Sequence, residues 1–487
     1  MPNSRKARIE RLDSLLAREP DAIAARYERA GLLRELNMFE ESKRDYLELL
    51  RRMPADSGVL NDFGTLVLKA GYRGAARSLF EEAVRHHPDH AAARVNLANL
   101  LLLLGEHEAA RAHFEAVLRA DPGHIHAHRG LGNLLAAAGD AAGARRHRDR
   151  GFANDFLVTL PYRGDGTPVR VLLLVSAAGG NTPTESLLDD RYFQANVLVT
   201  EYFDGKTPLP PHDLVFNAIG DADVCGEGLQ AALAIIARTG APVINDPRAV
   251  LKTGRLANAQ RLRGLPGVNA PRMALLPRRM LAGAEAAPLV AGNGFSFPVL
   301  ARAPGFHTGH HFVCAQTPEQ LAVAVEAFPG DDVWLIEQLD ARDGEGMFRK
   351  FRVMIVDRKL YPLHLAISRS WKVHYFTADM AQSADNRVKE AEFLGDMPRV
   401  VGRRGRAALE RIAAILDLDY GGIDFAVDAQ GNILFFEANA TMVMAPLSLD
   451  QKWDYRRRAF DDVFTALRGM LMERHTRGTL LSSASSL

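Results

Sequence analysis

The stretch GGIDFAVDAQGNILFFEANA, residues 421–440, holds two short runs of alternating apolar and polar residues on either side of Gln430-Gly431. Such alternation marks strands with one buried face, and the Gln-Gly pair between them predicts a tight hairpin turn. With those two residues as the loop, Ala429 pairs with Asn432 and Asp424 falls directly opposite Glu437. Period 2 puts Glu437 and Asn439 on one face, while Ile423, Phe425, Val427, Leu434 and Phe436 cover the other. Carboxylates placed opposite each other repel. A cation between them removes the penalty, and two carboxylates with an amide oxygen form a hard-oxygen set suited to Mg²⁺ (or Mn²⁺) carrying a nucleotide. The same pattern also describes a hairpin with one solvated polar face, and Phe435 interrupts the polar set.

Upstream of this hairpin the chain alternates strands and helices. VRVLLLV (169–175), NVLVTEYF (196–203), DLVFNAI (213–219) and PVIN (242–245) read as buried strands, and LQAALAIIART (229–239) as a helix. That order argues a doubly wound parallel sheet, whose ligands bind beyond the carboxyl ends of the strands. Two loops lie there, 177–186 and 220–228. PYRGDGTP (161–168) is a Pro/Gly-rich linker that separates this region from what precedes it.

The first third of the chain is periodic. Pro20, Pro54, Pro88 and Pro122 stand 34 residues apart, as do Asn37, Gly71, Gly105 and Gly139. Small residues keep step at Ser42, Ala76, Ala110 and Ala144, and aromatics at Tyr46, Phe80 and Phe114. Four positions sharing one phase resemble tetratricopeptide repeats, antiparallel helix pairs of this length. The resemblance implies units at about 23–56, 57–90, 91–124 and 125–156. The last is worn, with Arg148 in the aromatic slot and Gly151 in another core slot. Such an array binds and does not react. It serves as a scaffold or homodimer surface, or as a groove in which Asn61, Asn96, Asn99, Arg129 and Asn133 grip a peptide.

Composition narrows the classes. The chain of 487 residues carries 60 Lys+Arg against 59 Asp+Glu. Residues 1–160 hold 24 basic and 22 acidic side chains, and the remainder 36 and 37, so charge supports neither nucleic acid nor membrane as a partner. No apolar run reaches the roughly 18 residues of a membrane span. The opening MPNSRKARIERLDSLLAREP is a charged amphipathic helix unlike a signal peptide. The two cysteines, Cys225 and Cys314, have no metal-ligand spacing and fit a reducing cytoplasm.

Asp424, Glu437 and Asn439 are similar to the metal-binding triplet of ATP-grasp ligases, the superfamily of glutathione synthetase, D-alanine–D-alanine ligase and ribosomal-protein glutamate ligase. Other segments follow in the family's order. Arg255 takes the place of the basic residue that opens the nucleotide domain. FPVLARAPGFHTGHHF (297–312) resembles the strand and lid over the phosphates, with Arg302 where the family usually has Lys, and with His307, His310 and His311 where it is richer in Gly and Ser. VWLIEQLDA (333–341) resembles the adenine hinge, implying nucleotide contacts from Glu337, Gln338 and Leu339. Asp343 or Glu345 would reach the ribose. FRVMIVDRKLYPLHLAISRS (351–370) looks like the next strand pair, which makes Arg369 a γ-phosphate and acyl-phosphate group, with Lys372 beside it at the substrate. Arg352, at its start, reads equally as functional or as a surface ion pair. GGNTPTESL (179–187) is similar to a D-alanine–D-alanine ligase loop, which puts Glu185 at a substrate amine; Glu185 reads equally as a helix-capping residue after Thr184.

The expected architecture is therefore an all-α repeat solenoid (1–160), the linker, and an α/β ATP-grasp fold. The latter comprises a pre-ATP-grasp parallel sheet at 169–270, a lid subdomain at 271–340, a metal-binding subdomain at 341–475 and a flexible tail at 476–487. The resemblance implies an ATP- and Mg²⁺-dependent ligase joining a small-molecule or peptide carboxylate to an amine through an acyl phosphate. Arg302 and Arg369 would act catalytically, and the repeats would recruit a peptide or protein. Two alternatives share the fold: a phosphotransferase that stops at the phosphorylated product, and a nucleotide-binding adaptor with weakened catalysis.

Overall fold

Each 34-residue period builds one helical hairpin: 23–35 with 39–52, 57–69 with 73–86, 91–103 with 107–120, and 125–137 with 141–152, preceded by the helix Pro2–Arg18. Asn37, Gly71, Gly105 and Gly139 take φ of +57°, +89°, +81° and +82°, so the turn within each hairpin uses the left-handed region that Gly and Asn tolerate best. A further periodic signal starts the hairpins. Asp56, His90 and His124, again 34 apart, each accept from the N–H three residues on and cap the first helix. Tyr46, Phe80 and Phe114 are fully buried, as are Ser42, Ala76 and Ala110. Ser42 Oγ donates to the Ala30 carbonyl at 2.8 Å, which joins the two helices of the first hairpin. In the worn unit Arg148 packs on Gly132 as Phe80 packs on Gly64.

The computed structural model describes residues 2–283, 285–306, 309–373, 375, 378–444, 447–448 and 450–484. His307 of the lid lies outside the described residues. The chain divides into two compact units, Met1–Pro168 with Asp190–Ala195, and Val169–Asp189 with Asn196–Leu487. No described helix is long and apolar enough to cross a membrane.

Three sheets organise the second unit. In the first, Val169–Val175 pairs in parallel with Leu214–Asn217, which pairs in parallel with Val243–Ile244. The second has the order 273–277, 332–337, 299–302, 312–315; the third 359–368, 348–356, 420–427, 433–439, 268–269. Apolar faces seal each sheet. In the third, Phe351 stacks on Phe425 at 5.4 Å and meets Phe393 edge-on at 4.9 Å. Residues 476–484, expected as part of a flexible tail, continue the helix Arg457–Ala484, and the remaining 485–487 lie outside the described residues.

The 420–439 hairpin departs from expectation at its turn. Asp428, not the Gln430-Gly431 pair alone, shapes the loop: its Oδ1 accepts from the N–H groups of Gln430 (2.9 Å) and Asn432 (2.8 Å). Val427 therefore pairs with Ile433 and Phe425 with Phe435, one residue off the expected register. A bulge at Phe436 takes up the difference, so Asp424 stands opposite Glu437 after all. It also puts Phe435 in the core, 2 % exposed, which explains its interruption of the polar set.

Candidate functional site

Four neighbouring strands align four polar side chains in one row. Arg352 pairs with His364 on one side and Asp424 on the other, and Asp424 pairs with Glu437. Arg352 Nε and Nη2 donate to Asp424 Oδ1 and Oδ2 at 2.6 and 2.8 Å, and Lys350 Nζ lies 3.2 Å from Oδ2. Burial alone would push the Asp424 carboxyl up; Arg352 and Lys350 overcome it and hold the group far below the usual carboxylate range. Glu437 is held ionised in the same way, its burial outweighed by Arg255 and Arg302. Arg255 Nη2 donates to Glu437 Oε1 at 2.6 Å, and Asn439 Nδ2 to the same oxygen at 3.1 Å. Glu437 Oε2 accepts no hydrogen bond among the described residues.

These groups border one end of a cavity of about 850 Å³, within the roughly 300–1,000 Å³ typical of small-molecule sites. Arg255, Arg302, Lys350, Arg352 and Lys372 line it against Glu337, Asp424 and Glu437. Arg349 and Arg456 line it too; Arg349 is hydrogen-bonded to Asp343, whereas Arg456 lies 3.4 Å from Glu390 without a hydrogen bond to it. The excess of cations favours an anionic ligand. Burial, then the neighbouring Arg255, draw the Arg302 guanidinium down to about 10, so it stays charged at neutral pH. Its Nε donates to the Phe306 carbonyl at 3.2 Å, closing the start of the 303–311 connection. Lys372, beyond the end of the 359–368 strand, donates to the carbonyls of Gly309 (2.5 Å) and Phe312 (3.3 Å).

Of the residues expected at a site, Arg255, Arg302, Glu337, Gln338, Leu339, Lys372, Asp424, Glu437 and Asn439 all border this cavity. The backbone groups of Gln338 and Leu339 make no hydrogen bond among the described residues. Three expected residues lie elsewhere. Glu345 is exposed and paired with Lys389 at 2.7 Å. Arg369 follows the end of its strand, with an exposed side chain, and does not line the cavity. Glu185 is exposed in a turn that begins no helix, so it neither borders the cavity nor follows a helix cap. Its loop does reach the hairpin, through Thr182 Oγ1 donating to the Ala440 carbonyl at 2.6 Å.

Lys350 and His364 were missed by the sequence reading. The alternation Lys350, Phe351, Arg352 could have flagged the first, because it continues the polar face onto the adjacent strand. Asn439 stands in place, but its Oδ1 accepts from the N–H (3.0 Å) and hydroxyl (2.9 Å) of Thr441. Among the described residues no three His, Cys, Asp or Glu side chains form a metal-binding group. Asp424 likewise has both oxygens on Arg352, so of the three side chains only Glu437 keeps an oxygen, Oε2, without a hydrogen bond among the described residues.

Two tetratricopeptide family models match residues 61–125 and 101–154. The chain is similar to the solved structure of YrrB, a tetratricopeptide protein with an unusual peptide-binding site, at 23% identity and TM-score 0.27, over 31% of this chain and 77% of that one. It is also similar to residues 41 to the end of MamA from Desulfovibrio magneticus RS-1, at 19% identity and TM-score 0.29, over 31% of this chain and 84% of that one. No curated protein matches. An N-terminal tetratricopeptide array is thus joined to a mixed α/β region with several sheets.

Proposed function

We propose that the second unit is an ATP-grasp carboxylate–amine ligase that uses ATP and Mg²⁺, with the repeats recruiting a peptide or protein. The observation that carries this reading is the row Arg352–Asp424–Glu437 at the cationic end of a ligand-sized cavity, with Arg255 and Arg302 against Glu437. Phosphoryl transfer to a carboxylate is mostly positioning and charge neutralisation. Mg²⁺, when bound, would neutralise phosphate charge beside Asp424 and Glu437. Arg302 and Lys350 supply fixed positive charge at the same end. Arg352 and Lys350 keep Asp424 ionised, and Arg255 and Asn439 orient Glu437 with one oxygen free. Lys372 ties the Gly309 and Phe312 carbonyls together at the cavity's border, an enclosure that would keep water from an acyl phosphate. The hinge at Gln338 and Leu339 offers unpaired backbone groups to the base. Helical arrays of this kind present extended binding surfaces, which supports a peptide or protein partner for the repeats.

The test is ADP release by the full chain with Mg²⁺, screened over amino acids and short peptides. A ligase releases ADP and phosphate only when both an acyl donor and an amine are present. Release that needs one partner alone and yields a phosphorylated product would instead identify a phosphotransferase. Failure to bind ATP would overturn the proposal.

A further inference from the structure

The end of the cavity away from Arg255 and Glu437 has a chemistry of its own. Tyr375, Trp453 and Phe460 line it, and Arg456 lies among them, its guanidinium 4.2 Å from the Tyr375 ring centre and 5.2 Å from that of Phe460. Arg456 is 7 % exposed, and its Nε makes no hydrogen bond. The nearest anion is Glu390, at 3.4 Å, but that carboxylate is already served by the hydroxyls of Tyr375 and Tyr455 and by the Leu365 N–H. His364 adds a second buried nitrogen without a hydrogen bond: the residue is 6 % exposed and borders the cavity, and its Nδ1 has no hydrogen-bond partner. Buried polar groups left unpaired are costly and rare, so two beside one cavity point to a ligand that completes them.

We infer that Arg456, His364 and the surrounding rings form a subsite for a carboxylate carried next to a large apolar side chain, as in an apolar amino acid or the C-terminal residue of a peptide. The guanidinium has unspent N–H donors in the fork geometry that suits a carboxylate. Stacking between Tyr375 and Phe460 holds it in place without using those donors. The rings of Tyr375, Trp453 and Phe460 give an apolar side chain a surface to cover. Burial and the adjacent Arg352 keep His364 well below its ordinary value, hence neutral, and able to accept from an amine or donate to an oxygen. The assignment deepens the ligase reading by naming one substrate class, and rests on that reading only for what happens after binding.

The experiment uses the full chain without nucleotide. L-Phenylalanine, L-leucine and glycyl-L-phenylalanine are each compared with their carboxamides, by calorimetry and by tryptophan fluorescence, since Trp371 and Trp453 both border the cavity. At least one acid should bind saturably, about tenfold or more tighter than its amide. The dipeptide separates a peptide terminus from a free amino acid. Arg456→Gln should remove the preference for acid over amide, and Phe460→Ala should weaken both forms alike. Equal binding of acid and amide by the parent protein, or no binding of any acid up to millimolar concentration, overturns the inference whether or not the variants fold. ADP release stays a separate readout: its absence alongside a clear acid preference sinks the ligase reading and leaves the subsite standing.

Discussion

Arg352 grips both oxygens of Asp424, at 2.6 and 2.8 Å, and does so from the neighbouring strand at the directly opposed position. Asp424 is 3 % exposed, so the pair exchanges hydration for geometry. Removing one member leaves a buried charge with only Lys350 to answer it. Arg352→Met should destabilise the second unit by about 3 kcal/mol. Adding Asp424→Leu to that variant should recover most of the loss, since both charges are then gone. The pH dependence follows from the depressed carboxyl. A group whose folded pKa lies below its unfolded one stabilises fully above the unfolded value, near 3.9, and loses that contribution as pH falls toward the folded value. Urea unfolding of the parent and Asp424→Asn should therefore differ by a constant amount from pH 8 to about 5 and converge below about 4. A difference that changes between pH 8 and 6 would show that another group controls the pair.

Glu437→Gln keeps the shape of the side chain and removes one negative charge. Arg255 retains Asp221 and Asp223 as nearby charges, so the fold should hold. Mg²⁺-dependent ADP release should fall by about 100-fold or more, with the thermal midpoint within a few degrees of the parent. Turnover at the parent rate in this variant would remove Glu437 from the site.

Arg302 gives the site an alkaline limit. Its guanidinium titrates near 10 because it is buried beside Arg255, so it carries full charge at pH 7. Affinity for ATP, measured by calorimetry, should stay level from pH 7 to about 9 and weaken as pH approaches the value of that group. Arg302→Met should weaken binding at pH 7 by about tenfold and flatten the alkaline limb. The same limb in parent and variant would assign it to another residue.

How far the sequence carried these conclusions depended on the range of the signal. The 34-residue period survives because each repeat packs on its neighbour, so Tyr46, Phe80 and Phe114 obey a local rule. Asp424 opposite Glu437 was reached through a turn that does not form, and holds because the bulge at Phe436 offsets the longer loop shaped by Asp428. His364 and Arg456 were not legible as site residues. Lys350 was signalled only by its alternation with Arg352, while the role of His364 comes from a pairing between strands and that of Arg456 from a segment next to the 457–484 helix, which no local pattern announces. Arg369 was placed by its neighbours in sequence, whereas the strand ends one residue before it and its exposed side chain does not line the cavity that Trp371 and Lys372 border.

Two glycines of the repeats separate packing from backbone freedom. An added methyl at Gly130 would meet the Phe114 ring at 2.2 Å, whereas at Gly31, also within a helix, nothing lies within 4 Å. Gly31→Ala should stabilise the repeat unit by about 0.5–1 kcal/mol through helix propensity. Gly130→Ala gains the same propensity but forces the ring aside, and should destabilise by about 2 kcal/mol net. Denaturant midpoints that move in the same direction for both would refute the packing assigned to Phe114.

The last prediction concerns what the repeats grip. Asn61 Oδ1 accepts from Asn96 Nδ2 at 2.8 Å, and Arg129 donates to the Gly151 carbonyl at 2.9 Å and to Asp155 at 2.7 Å, with its guanidinium over Phe152. Those three side chains already hold the array together. Asn99 and Asn133 are exposed, stand 34 residues apart and so occupy the same slot on successive units, with amides free to meet an extended backbone. Replacing both by Ala should leave stability within about 0.5 kcal/mol, as expected for surface positions. Losing two hydrogen bonds to a peptide should raise the KM for a peptide-like substrate by roughly tenfold while leaving kcat and the KM for ATP unchanged, the mark of lost uniform binding. Unchanged kinetics on every substrate found would exclude these two side chains from recognition and favour the array as a scaffold or a surface for self-association.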